Sequence, residues 1–399
     1  GDGAYVAAGR AGGLEAFRLR SDGVPSPAGT FEEAGALHRV VERSGVVYGA
    51  HSAFGVSARA WDGAGRALRL LGEERLAGTQ DIALAGDFLY AARGNQSEIA
   101  VLALAADGRP ERVAGAPVDG DPVDLEPGGG VLFAASMTRG VLALGLADPL
   151  RPTEIGFEAS TDASSSVGLA LSGRLLHSSN GHWVRTVVAS EPRFMYNVAM
   201  VECGGDGMAV DGDLLYCADG NALAVFDYAD AEAPRQVGTT RVLEGLPDAR
   251  ALERLGEHLV WVGWEGVSLV ERDRVGGFQE VAGWESLGAA YDVEARPGAG
   301  GAFVGSRLFV ADGDAGLVVL EVVDAAAPTA PPSRQPSTAA TRQATAAPEA
   351  SATPRCDWRW VTRYSNCGWP IAAASRCRPA WATSASRSKS RATTASRCS

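Results

Sequence analysis

Short apolar runs, broken by glycine turns, recur from one end of the chain to the other. Residues 214–234, LLYCADGNALAVFDYADAEAP, show the unit most cleanly. An apolar strand begins at Leu214, Leu215 and Tyr216 and breaks at Ala218-Asp219-Gly220-Asn221. A second strand over 223–228 follows at once, and the unit closes at Asp230 and Pro234. Residues 307–328, RLFVADGDAGLVVLEVVDAAAP, repeat it with one extra residue in the turn. One hairpin of this size cannot bury its own apolar faces, so copies have to stack against one another.

The apolar pair that opens the first strand recurs as Ala4-Tyr5-Val6, Val47-Tyr48, Leu89-Tyr90, Leu132-Phe133, Leu175-Leu176, Leu215-Tyr216, Leu259-Val260 and Leu308-Phe309. Successive steps are 43, 42, 43, 43, 40, 44 and 49 residues. Downstream of the pair, Asp148 and Pro152, Asp230 and Pro234, and Asp324 and Pro328 share one spacing, which suits a turn leading into an outer edge strand. Upstream, segments such as Asp81-Ile-Ala-Leu-Ala-Gly86 and Gly207-Met-Ala-Val-Asp-Gly212 read as a short inner strand and a glycine turn. Four strands per period of 40 to 50 residues is the pattern of a β-propeller.

The expected fold is therefore all-β, a propeller of seven or eight four-stranded blades. Eight copies can be counted and eight blades are favoured. The first copy is incomplete, because the chain opens inside its turn, and an N-terminally truncated sequence is expected. The propeller spans 1–328. Residues 329–354, rich in Ala, Pro, Thr and Ser, read as a mobile linker. Residues 355–399 carry four cysteines (Cys356, Cys367, Cys377, Cys398) in a low-complexity Arg/Ser background. That tail reads as disordered or out-of-frame sequence, with a small disulfide-stapled module as the alternative. The fifth copy, 167–200, is the most irregular, and the last carries an insertion over 296–301.

Charge sharpens this division. Residues 1–324 carry 46 Asp and Glu against 25 Arg, whereas 325–399 carry 2 acidic and 11 basic residues. An acidic body excludes nucleic acid as a partner. No apolar run approaches the length of a membrane span.

The units at 214–234 and 307–328, with Asp148-Pro149-Leu150-Arg151-Pro152, resemble the LVIVD-repeat family of bacterial β-propeller proteins. The resemblance covers residues 1 to about 328 and is looser in the second, fifth and seventh copies. It implies a secreted, periplasmic or cell-surface propeller, and leaves activity open.

In a propeller the inner-strand entries and the turns after the aromatic strand share one face around the channel, where ligand sites gather. The copies place His38, Arg39, Asp81, Asp124, Asp206, Arg250 and Asp292 at those entries, and Asp219, Trp264 and Asp312 in the turns. Asp81, Asp124 and Asp292 hold one equivalent position. They either converge on a hard cation such as Ca²⁺ or each bond the neighbouring blade. The Asp-Gly turns at Asp219 and Asp312 read as carboxylates capping their own turns. Trp264 is placed to stack on a ligand or on the next blade. No catalytic set emerges. The five histidines lack metal-site spacing and no Gly-x-Ser-x-Gly elbow exists. Cys203 and Cys217 lie near one hairpin, but strict pairing puts Cys217 opposite Gly207, so free buried thiols are expected. The leading functional expectation is a monomeric, non-enzymatic scaffold binding a protein or glycan ligand through the channel face. The alternative is a lactonase-like hydrolase with a channel cation on Asp81, Asp124 and Asp292.

Overall fold

A computed structural model describes residues 5–10, 13–19, 25–32, 36–61, 68–158, 166–205, 207–220, 222–239, 249–272, 277–286, 289–313, 316–324 and 356–364. Seven four-stranded antiparallel sheets form a closed ring. We number these blades 1 (37–75), 2 (79–117), 3 (122–158), 4 (168–202), 5 (208–239), 6 (249–285) and 7 (292–324 with 356–364). The inner strand of each blade packs beside the inner strand of the next, and blade 7 closes on blade 1. The ring thus has seven blades, not the eight favoured from the repeat count. The first sequence copy stands outside it as a three-stranded sheet of Tyr5–Arg10, Gly13–Leu19 and Pro25–Glu32. Self-similarity counts units, whereas the ring is closed by the meeting of two particular edges.

The markers found in the sequence are structural. The second residue of each apolar pair in the ring is buried: Tyr48, Tyr90, Phe133, Leu176, Tyr216, Val260 and Phe309. Seven apolar clusters account for the core of the described residues, one between each pair of neighbouring blades. The cluster that joins blade 7 to blade 1 contains Leu37, Val40, Val47, Phe309 and Val319. Each blade therefore buries both faces only inside the ring, which is why a single unit cannot fold alone. The Asp…Pro marker is a turn, as expected: the Asp148 Oδ1 accepts from the Leu150 N–H at 3.1 Å. The Tyr90 hydroxyl donates to the Pro149 carbonyl at 3.0 Å, tying that turn to the preceding blade. Gly86 and Gly212, in the turns between inner and second strands, take φ values of 57°, the left-handed region that a β-carbon disfavours.

Two expectations change. Within the tail expected to be disordered or out of frame, Cys356–Tyr364 pairs antiparallel with Leu317–Asp324 as the outer strand of blade 7, Leu317 opposite Tyr364 and Asp324 opposite Cys356. The linker at 329–354 lies outside the described residues. Cys203 and Cys217, expected as free thiols, form a disulfide with Cα atoms 6.5 Å apart. Strand register does put Cys217 opposite Met208, next to the expected Gly207. However, the connection from blade 4 into blade 5 turns back, with the Cys203 N–H on the His182 carbonyl at 3.1 Å, and brings the sulfurs together. The bridge ties the end of blade 4 to the second strand of blade 5 across 14 residues. Loop-closure entropy for a loop of that size predicts that the double variant Cys203→Ser, Cys217→Ser loses about 3 kcal/mol in urea unfolding. An unchanged midpoint in non-reducing buffer would show that the bridge does not form.

Candidate functional site

Inner strands are sheet edges, and their outward N–H groups have no strand to pair with. Carboxylates meet this need from blade to blade. Asp81 Oδ2 accepts from the Leu125 N–H at 2.6 Å, Asp124 Oδ2 from Leu169 N–H at 2.6 Å, and Asp292 Oδ2 from Val40 N–H at 2.8 Å. Glu253 Oε2 accepts from the Ala295 N–H at 2.7 Å in the same way. The bond from Asp292 to Val40 spans the junction where the ring closes.

The strand registers place one residue of each blade in a single layer of the channel. Arg39 pairs with Ala50, Asp81 with Ala92, Asp124 with Ala135, Gly168 with Ser179, Ala251 with Val262 and Asp292 with Ala311. In blade 5 the Ala218 N–H on the Gly207 carbonyl marks Gly207 as the counterpart. Blades 7, 1, 2 and 3, which are consecutive, thus contribute Asp292, Arg39, Asp81 and Asp124. Blades 4, 5 and 6 contribute only Gly168, Gly207 and Ala251. One side of the channel layer is charged, and the other carries only glycine and alanine, with Gly207 packed against the Ala251 backbone. Two residues further along each strand, on the same strand face, stand Glu126, Glu253 and Glu294 among Val41, Ala83, Ala170 and Ala209. Apart from Asp81, the residues of these two layers line a channel cavity of about 520 Å³.

The place expected for a cation is filled by the guanidinium of Arg39. Its Nε lies 2.7 Å from Asp81 Oδ1, one NH2 2.7 Å from Asp124 Oδ1, and the other 3.6 Å from Asp292 Oδ1. The Asp124 contact is an aligned hydrogen bond. The Asp81 contact is close but not aligned as one, and Asp81 Oδ1 has no other partner. The three aspartates therefore do not fit a resident metal, because their free oxygens face an arginine. Among the described residues no group of three or more His, Cys, Asp or Glu has metal-holding geometry.

Burial sets the proton affinities here. It pushes Asp81 well above the usual carboxylate range and raises Asp292, in both cases against the pull of Arg39. Burial alone would lower the Arg39 pKa, but Asp81, Asp124 and Asp292 outweigh it and raise it further. Glu126 is pushed up to about 7 by burial and by the charge of Asp124, again opposed by Arg39. Glu294 is also pushed up to about 7 by burial, opposed by Arg296, whose NH2 lies 2.8 Å away. Glu126 differs from its companions in having no ion pair or hydrogen bond among the described residues, while lining the cavity.

Arg250 lies 3.7 Å above the Trp264 ring and 4.9 Å from that of Tyr291, and His38 meets Tyr291 edge-on at 4.7 Å. His38, Arg250 and Trp264 thus share the rim, separate from the carboxylate layers. Asp206 lies outside the described residues. The turn aspartates reach beyond the turns they were expected to cap: Asp219 Oδ1 accepts from Gly204 N–H at 3.1 Å, and Asp312 is buried and accepts from the Ser286 hydroxyl. His51 and His177 are buried core residues bonded to Ser57 and Thr186. Sequence reasoning missed Glu126, Glu294 and Tyr291. The alternation Asp124-x-Glu126 and Asp292-x-Glu294 was the available signal, since residues two apart in a strand share a face.

The LVIVD repeat matches residues 303–332. No curated protein is significantly similar in sequence. Among solved structures, the fold is similar to the periplasmic gluconolactonase of Pseudomonas aeruginosa, with a TM-score of 0.53 and 16% identity over 69% of this chain and 93% of that one. A putative 6-phosphogluconolactonase of Bacteroides fragilis gives 0.51 and 18% over 69% and 91%. Sqt1 of Saccharomyces cerevisiae gives 0.56 and 14% over 78% and 91%. Identities this low carry the fold. They also correct the reading of the chain as a non-enzymatic scaffold, since lactonase-named propellers stand among the structures it resembles. An LVIVD repeat thus stands in the last blade of a ring of small antiparallel sheets, an arrangement consistent with an LVIVD-repeat β-propeller.

Proposed function

We propose that the propeller is a hydrolase of the lactonase type, acting on a small hydroxylated lactone in the channel without a resident metal. The observation that carries this reading is Glu126. A carboxylate held near neutral pH, without a partner and lining a cavity that also holds an arginine, is suited to general base work. Glu126 takes a proton from water, and the water oxygen attacks the lactone carbonyl carbon. The charge that builds on the carbonyl oxygen is stabilised by Arg39, a third of whose side chain remains exposed. The ring C–O bond then breaks, and its oxygen recovers the proton from Glu126 to give the open hydroxy acid. The disulfide suits an oxidising compartment, in keeping with a protein outside the cytoplasm.

The acidic channel sets a preference. A phosphorylated lactone brings negative charge toward Asp124, Glu126 and Glu294, so a neutral lactone is the better substrate. Hydrolysis of glucono-1,5-lactone above the uncatalysed rate, rising with pH through about 7 as Glu126 ionises, is expected. The 6-phosphorylated lactone should react more slowly. A rate no higher than that of buffer for both compounds would remove this reading.

A further inference from the structure

Arg250 is the one residue of the inner strand of blade 6 that the ladder skips. The register passes from Ala249 opposite Gly263 to Ala251 opposite Val262, so Arg250 is the extra residue of a bulge. His38 is the extra residue at the same point in blade 1, where the register passes from Leu37 to Arg39. Bulges re-aim a side chain away from the ladder, and here both turn toward Tyr291 at the channel rim. The guanidinium of Arg250 is then held 3.7 Å from the centre of the Trp264 ring, which itself packs against Tyr291 at 5.8 Å.

This arginine differs from the other arginines that line the channel cavity, Arg39, Arg254 and Arg296. Arg39, Arg93, Arg139, Arg185, Arg254 and Arg296 each sit on a carboxylate. Among the described residues no carboxylate lies within ion-pairing distance of Arg250, and its buried Nε has no hydrogen-bond partner. It lines the channel cavity. A guanidinium fixed by stacking loses little freedom when it binds, and its planar fork matches a carboxylate. Trp264 remains 45% exposed beside it, offering an apolar face to the carbon skeleton that carries the acid.

We infer that Arg250, on its Trp264 and Tyr291 platform, is a rim subsite for the carboxylate of a small sugar acid. A single arginine facing an acidic channel balances one negative charge, so a monoanionic carboxylate fits better than a phosphate dianion. The subsite is independent of turnover at Glu126, because it requires only binding.

The test titrates the whole protein with galacturonate and with its neutral methyl ester, following tryptophan fluorescence and isothermal calorimetry. Galacturonate is expected to bind about 10-fold or more tightly than the ester. Arg250→Gln should bring the two to equal affinity, and Trp264→Phe should remove the fluorescence change while the calorimetric preference for the acid persists. Equal affinity of acid and ester for the unaltered protein, or binding of neither, overturns the proposal without reference to any variant. So does a folded Arg250→Gln protein that retains the preference. Galacturonate 6-carboxylate displaced equally well by inorganic phosphate would overturn the charge argument that selects a carboxylate.

Discussion

Replacing Arg39 by methionine should cost about 3–5 kcal/mol at pH 8, the range for breaking a buried ion pair from one side. In a ring of this size that lowers the melting temperature on the order of 10 °C. The reason lies in what stays behind. Asp81, Asp124 and Asp292 are buried and held in place by the N–H groups of Leu125, Leu169 and Val40. Without the guanidinium they cannot separate, and burial leaves them little access to water. Protonation is their remaining relief, so the loss should depend on pH. A carboxyl whose folded-state pKa lies above its unfolded value contributes stability below the unfolded value, and that contribution is lost as pH rises through the folded one. Asp81 and Asp292 are already raised with Arg39 present and rise further without it. The gap between variant and parent should therefore widen from pH 5 to pH 8. Thermal melts at the two pH values check this, and a gap that stays constant or narrows with pH would show that the carboxylates do not depend on Arg39.

Glu126→Gln should move stability and activity in opposite directions. As general base, Glu126 accounts for about 10²- to 10⁴-fold in rate, and glutamine cannot take a proton. As a carboxylate raised to about 7 by burial and Asp124, it disfavours the folded state once ionised. Its contribution is favourable below the ordinary glutamate range and disappears as pH rises through about 7. At pH 8 the variant should be more stable than the parent by about 1–3 kcal/mol, converting the shift at about 1.4 kcal/mol per pH unit and discounting for partial exposure. At pH 4 the two should be alike. Loss of turnover with a rise in melting temperature at pH 8 is a pairing that a merely structural glutamate would not give. A variant that hydrolyses glucono-1,5-lactone at the parental rate would relieve Glu126 of its role.

The two outcomes share a physical root. Edge strands need acceptors for their free N–H groups, and this ring supplies them with aspartate and glutamate. The same carboxylates crowd the channel, so their proton affinities climb. Arg39 stands where its own blade would otherwise place a further acid, and it offsets part of the crowding. What remains uncompensated is concentrated at Glu126, which neither Arg296 nor a backbone N–H relieves.

By itself the sequence determined the local unit and its repetition. Period-2 apolar strands, the glycine at Gly86 and Gly212, and the Asp148 turn are set by residues close together in the chain, and each behaves as its local chemistry requires. It also placed Asp81, Asp124 and Asp292 at one equivalent position. What only the tertiary structure decided is which edges meet. Seven blades close because Asp292 reaches Val40, a bond across 252 residues that no periodicity encodes. The identity of the cation beside the aspartates followed from that closure, since Arg39 joins them only once blade 1 stands between blades 7 and 2. The Cys203–Cys217 bridge and the stacking of Arg250 on Trp264 likewise depend on how a connection bends and where a bulge aims a side chain. Those are long-range or irregular features, fixed by packing between neighbours, and the alternation of apolar and polar residues along a strand carries no record of them.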